Sequence, residues 1–178
     1  MQLDLVRHRF TRENCSVARA LEVIGDWWTL LIIREAMLGT RRFADFADEL
    51  PISRNILTRR LIHLVKRGVL ARVDAGTYGT RHEYELTPMG KDLATLMTAL
   101  RQWGDRWVFG EGNEPLLVLD RRTGRPVPRL RILDEQGQPI GGRDIAIAPG
   151  PGAQKRTVDR YRRTFEAAPA KRRARLAR

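Results

Sequence analysis

Apolar residues first recur at helical steps from Ser16, where Val17, Ala20, Leu21 and Ile24 lie three or four positions apart and Gly25 suits a C-terminal stop. The next run is more apolar. Trp28, Leu31, Ile32 and Glu35 share one side of it, and Leu30, Ile33 and Met37 another, which predicts a buried central helix over 27–38 ended by Gly39. Phe43, Phe46, Ala47 and Leu50 mark a short third helix, broken by Pro51. Ser53 stands as N-cap of a fourth, whose buried stripe is Leu57, Leu61, Leu64 and Val65 and whose stop is Gly68. Two β-prone runs, 69–73 and 82–86, flank a loop containing Gly76 and Gly79 and predict a hairpin in which Tyr84 faces the core. Thr87 as N-cap and Pro88 at the first helical position then open a long helix reaching about Trp107.

After Gly110 the helical period gives way to short β-prone runs, LLVL, LRIL and DIAIA, separated by RRTGRPVP and DEQGQPIGG. The expected organisation is an N-terminal arm (1–14), a helix-turn-helix domain (15–110), a small β-rich appendage (111–152) and a basic tail (153–178). The fold class is mainly α with a β-hairpin wing (α+β), a winged helix-turn-helix carrying a small C-terminal β appendage.

Charge changes the picture more than composition does. The 178 residues carry 33 Lys and Arg against 21 Asp and Glu, a net charge of +12 that favours a polyanionic partner, nucleic acid or an anionic membrane surface. Much of it lies in the tail, at Lys155, Arg156, Arg160, Arg162, Arg163, Lys171, Arg172, Arg173, Arg175 and Arg178. No apolar run is long enough for a membrane span and the start lacks the h-region of a signal peptide, so a cytoplasmic protein is expected, with no membrane partner. The single cysteine, Cys15, excludes an intrachain disulfide and a Cys-rich zinc site but leaves open a disulfide between two subunits, and no cofactor is expected. His8, His63 and His82 fall in different elements without metal-ligand spacing, and no nucleophile elbow or phosphate loop occurs, which argues against an enzyme.

Two short helices joined by a tight turn and followed by a hairpin form a unit whose second helix enters the major groove while the hairpin lies along an adjacent groove. The fourth helix has the residue types for that task. As candidates, Arg54 and Arg59 carry the donor fork that matches guanine or a phosphate, Asn55 has the amide that can pair with adenine, and Ser53 and Thr58 suit phosphate or base contacts. Arg72 and Arg81 on the hairpin are candidate backbone contacts. The competing reading is a winged helix used for protein-protein assembly, which would not need a basic face at Arg54, Asn55 and Arg59.

The ordered segments CSVARALEVIGDWWTLLIIREAMLGTRRFADFADEL, ISRNILTRRLIHLVKRGVLAR and HEYELTPMGKDL resemble the HxlR-type winged helix-turn-helix regulators, relatives of the multiple-antibiotic-resistance regulator group. The resemblance spans 15–107 and departs at Trp27, where a basic residue is common, and at the wing sequence AGTYGT. It implies a repressor that binds an inverted-repeat operator in double-stranded DNA as a homodimer. It also implies pairing of subunits through the first helix and the helix opened by Pro88, on which Leu93, Leu96, Met97, Leu100, Trp103 and Trp107 form an apolar stripe. Cys15 matches an N-terminal cysteine that several members use to sense oxidants or electrophiles, and a thiol at a helix N-terminus gains thiolate character, aided here by Arg12 and Arg19. A packed, inert thiol is the competing reading. A small aromatic effector lodged among Trp27, Trp103 and Trp107 is a second regulatory candidate, against plain core packing.

The stretch 116–148 resembles a two-turn extension of some members whose turns carry zinc ligands in ribbon style. Asp120, Thr123, Leu133 and Gln136 occupy those places, so zinc is excluded. The expectation is that Leu117, Leu119, Leu130, Ile132, Ile145 and Ile147 pack in place of the metal.

Overall fold

The computed structural model describes residues 10, 13–74, 76 and 82–163. The chain divides into two units, Val23–Leu130 and a second made of Met1–Glu22 with Arg131–Arg178.

The larger unit holds the core. Val23 and Ile24, the last residues of helix α1 (Ser16–Ile24), belong to it, and α2 (Trp27–Leu38) runs through its centre with Thr29, Ile32, Ile33 and Glu35 buried. Asp26 caps α2 by accepting the Trp28 amide, and Gly39, at φ +106, closes it in the left-handed conformation that glycine adopts without strain. Helices α3 (Phe43–Glu49) and α4 (Arg54–Lys66) follow, with Ser53 Oγ accepting the Ile56 amide as α4's N-cap. Phe46, Leu50, Leu57, Leu61 and Leu64 join Ile32 and Ile33 in one cluster, closed by Val69 and Leu70. Each such side chain contributes about 1.5–3 kcal/mol by leaving water. The buried Glu35 carboxylate is matched by the Arg34 guanidinium at 2.5 Å.

Strands β1 (Leu70–Asp74) and β2 (His82–Leu86) pair antiparallel, Leu70 opposite Leu86 and Arg72 opposite Tyr84. Tyr84 packs edge-on against Phe46, with ring centroids 6.4 Å apart, so its core role holds.

The single long helix expected after Thr87 is instead three helical pieces. Helix α5 (Pro88–Asp92) ends at a turn on Leu93, α6 (Ala94–Gly104) follows, and Asp105–Phe109 widens into a π-helical segment whose last bond runs from Gly110 N to Asp105 O. The N-terminal end of this stretch is anchored. Thr87 Oγ1 bonds the Gly68 and Val69 carbonyls while accepting the Gly90 amide, which fixes α5 against the hairpin.

Beyond Gly110 the strand content is smaller than the sequence pattern suggests. LLVL contributes one bridge, Leu119 with Pro126, and DIAIA forms no strand. In the smaller unit β3 (Ile132–Leu133) and β4 (Pro139–Ile140) form a minimal hairpin, and α7 (Lys155–Tyr161) starts the stretch read as tail. The expected packing of Leu117, Leu119, Leu130, Ile132, Ile145 and Ile147 does not occur: all six are exposed.

The turns are organised by aspartate instead. Asp120 accepts the Arg122 amide and guanidinium, and these bonds, the backbone one foremost, hold its carboxyl below the usual range. Asp134 accepts the Gln136 and Gln138 amides. A short polar side chain bonded to the backbone two residues on defines a turn without metal or core.

Candidate nucleic-acid interface

Helix α4 presents two faces because its buried residues repeat at three- and four-residue steps. Leu57, Leu61 and Leu64 lie in the core, which leaves Arg54, Asn55, Thr58, Arg59 and Ile62 exposed together. The structure thus brings Ser53, Arg54, Asn55, Thr58 and Arg59 onto one solvent-facing surface at the N-terminal half of the helix.

The side chains on this surface differ in freedom. The Arg54 guanidinium lies over the Phe43 ring, 5.8 Å from its centroid, which tethers the base of α4 to α3. Thr58 donates its hydroxyl to the Arg54 carbonyl, and Arg59 Nε donates to the Asn55 carbonyl at 3.3 Å. Among the described residues neither the terminal nitrogens of Arg59 nor the Asn55 side-chain amide makes a hydrogen bond. These two hold the donor and acceptor sets that match guanine and adenine edges. Ser53 Oγ is engaged as a cap but keeps its own proton to donate.

Three features that position this surface carry no obvious periodicity. The Arg60 guanidinium, on the flank of α4, meets the Asp26 carboxylate at 2.5 Å, so one aspartate both caps α2 and pins the reading helix across the core. On the same flank His63 Nε2 lies 3.0 Å from the Val23 carbonyl. The wing, in turn, is attached to the turn before α3. The Tyr84 amide donates to the Arg41 carbonyl, Arg42 bridges Glu83, and ion pairs Arg41–Glu85 (2.6 Å) and Arg42–Glu83 (3.2 Å) reinforce the join. The signal available in the sequence was the pair Arg41, Arg42 set against Glu83 and Glu85, two positions apart on one strand face.

Arg72 is exposed on β1. Asp74 Oδ1 lies 2.6 Å from His82 Nδ1 at the distal end of the paired strands. Arg81 lies outside the described residues, as does Gly79 of the loop.

The other candidates separate as follows. Leu93 and Met97 pack against the core of their own chain, whereas Leu96, Leu100, Trp103 and Trp107 are exposed. Cys15 is exposed and its carbonyl accepts the Arg19 amide at the start of α1. The Arg19 side chain reaches Glu22, 3.5 Å away, and Arg12 lies outside the described residues. Trp27, Trp103 and Trp107 are 71, 58 and 64 % exposed, so within one chain they enclose no aromatic cavity. The Arg106 guanidinium covers the Trp107 ring at 4.8 Å. Among the described residues no cluster of side chains suits a metal ion, and no helix is long and apolar enough to cross a membrane.

Residues 23–111 match the model of the HxlR-like helix-turn-helix family. An uncharacterized HTH-type transcriptional regulator of Mycobacterium tuberculosis, MT3179, is 40 % identical over 152 residues, 85 % of this chain and 95 % of the relative. Among solved structures, PA1607, a candidate transcription factor, is 38 % identical with a TM-score of 0.74, covering 80 % of this chain and all of its own. PA1374 of Pseudomonas aeruginosa, likewise a candidate transcription factor, is 34 % identical with a TM-score of 0.59, covering 82 % of this chain and 99 % of its own. Both alignments extend past residue 111, so the segment after the helix-turn-helix is shared with these proteins.

Proposed function

Since the chain belongs to the HxlR-like helix-turn-helix family and is therefore a transcriptional regulator with a DNA-binding helix-turn-helix rather than an enzyme, we propose that it is a repressor that grips an inverted-repeat operator as a homodimer. In this reading α4 enters the major groove, Asn55 and Arg59 meet base edges, and Ser53, Arg54, Thr58, Arg72 and Arg81 meet phosphates. The observation that carries it is the joint exposure of Arg54, Asn55, Thr58 and Arg59 on one face of a helix whose opposite face is fully buried.

Two-fold pairing follows from the economy of recognition. One short helix reads few base pairs, and a symmetric dimer doubles the site. The exposed residues Leu96, Leu100, Trp103 and Trp107 are the surface we assign to that contact. An assembly module without DNA readout would have no use for the polar and basic face of α4.

Release from DNA is assigned to Cys15, whose exposed thiol is open to oxidants and electrophiles. The reading head is tested with Arg59→Ala on a duplex selected by the wild-type protein. Binding should fall by about 1–3 kcal/mol, roughly 5- to 150-fold, if Arg59 makes a bidentate base contact. Unchanged binding with an intact dimer would remove Arg59 from the reading head.

A further inference from the structure

The stretch that begins the basic tail is an ordered, two-faced helix in the smaller unit. A seven-residue helix is not stable alone in water, so α7 needs external support. It finds that support in Asn14, 140 positions away. Asn14 Oδ1 accepts the Gln154 amide at 2.9 Å and the Thr157 hydroxyl at 2.7 Å, while Nδ2 donates to the Gly152 carbonyl at 3.1 Å. Gln154, the N-cap residue, makes no side-chain cap of its own, so Asn14 does that work from a distant part of the chain.

Anchoring fixes which face looks outward. Thr157, Val158 and Tyr161 are half-buried on one side, whereas Lys155, Arg156, Arg160, Arg162 and Arg163 are all exposed. With the 100° step of α7 continued through Arg162 and Arg163 just past its end, those five cations fall within an arc of about 160°. Asp159 lies in the same arc and is half-buried. The exposed surface is therefore a row of four arginines and a lysine on a backbone held in place, and none of the five forms an ion pair among the described residues. In sequence, residues 155–178 hold ten Lys and Arg against two acidic residues, +8 of the net +12.

We propose that α7 is a second DNA-contacting element, separate from the winged helix, which binds duplex phosphates without regard to sequence. The occupant is duplex DNA because the outward surface carries five cations against one half-buried acid, the apolar Val158 and Tyr161 are half-buried and not free to enter lipid, and the chain is a protein whose shown role is on DNA. The guanidinium fork suits phosphate oxygens, and each neutralised phosphate releases counterions. The contact thus raises affinity and salt dependence while leaving base discrimination to α4. This inference rests on the DNA-binding reading above.

The test uses the full chain and a random-sequence duplex of 30 base pairs, with binding followed by fluorescence anisotropy over a salt series. Arg156→Ala/Arg160→Ala/Arg163→Ala should lower the slope of log K against log salt by roughly two to three, at about 0.9 per phosphate. The triple Arg→Lys variant should keep a slope near that of the wild type, since charge rather than shape is required. All three positions are exposed, and circular dichroism checks that the fold is kept. An unchanged slope in the Ala variant overturns the proposal, as does a variant that binds DNA normally but loses binding to phosphatidylserine vesicles. A wild-type protein with no salt-dependent DNA binding would instead overturn the underlying reading, which separates the two failures.

Discussion

Gly90 lies directly against the carbonyl of Val69: a Cβ at Gly90 would stand 2.2 Å from Val69 O and 2.9 Å from Leu86 Cδ2. The hairpin and α5 therefore meet backbone to backbone, at a distance only glycine permits. Thr87 reinforces the same junction through its bonds to Gly68 and Val69.

Gly90→Ala should consequently destabilise the protein, although alanine is ordinarily the better helix former. Relief of the clash requires moving the strand or the helix, at a cost of about 1–3 kcal/mol or more. Thermal unfolding should show a drop of roughly 2–4 °C per kcal/mol for a chain of this size. A melting temperature equal to that of the wild type would show that α5 and the hairpin are not in close register.

Asp26 serves two partners, and conservative replacement separates them. Asp26→Ala removes both the α2 cap and the ion pair with Arg60, so a loss of roughly 1–3 kcal/mol is expected. Asp26→Asn keeps an oxygen for the Trp28 amide and should lose less. Urea unfolding of the two variants reads the difference. Equal losses would mean that the cap contributes nothing and that the charge pair carries the whole effect.

The hydrophobic pattern made much of this fold legible, because burial in a small helical domain imprints its period on the chain. The spacing of Leu57, Leu61 and Leu64 alone specifies the orientation of α4, and hence the exposed candidates. Ser53, Thr87 and Gly39 marked ends correctly because capping is local chemistry. What stayed hidden was non-local. Neither the clasp of Asn14 on α7 nor the pair Asp26–Arg60 leaves a periodic trace, since each joins residues from distant elements. The appendage misled for a related reason: alternating Leu and Ile predict strands with a core, yet in a single chain these residues are exposed and aspartate-centred turns set the backbone.

The exposed stripe on α6 carries the dimer prediction. Leu100→Glu places a charge where the account puts an apolar contact, and Leu100 is 47 % exposed in the single chain, so the monomer should still fold. Sedimentation velocity should show a shift from dimer to monomer at micromolar concentration. An unaltered dimer would remove that face from the interface.

For regulation, Cys15→Ser should leave DNA binding in reducing buffer as it is in the wild type. Treatment with hydrogen peroxide should then release the wild-type protein from its selected duplex and leave the variant bound, as read by gel shift. A variant that still lets go would move the sensing function elsewhere in the molecule.

On the function proposed above, α4 reads base edges through Asn55 and Arg59, once in each half of a symmetric site. Sequencing of random duplexes retained by the purified wild-type protein, and in parallel by Asn55→Ala and Arg59→Ala, tests it most directly. The wild type should select an inverted repeat with half-site centres about one helical turn, or 10 base pairs, apart. Each variant should show relaxed preference at a single symmetry-related pair of positions. The same motif with undiminished enrichment in all three proteins would contradict it.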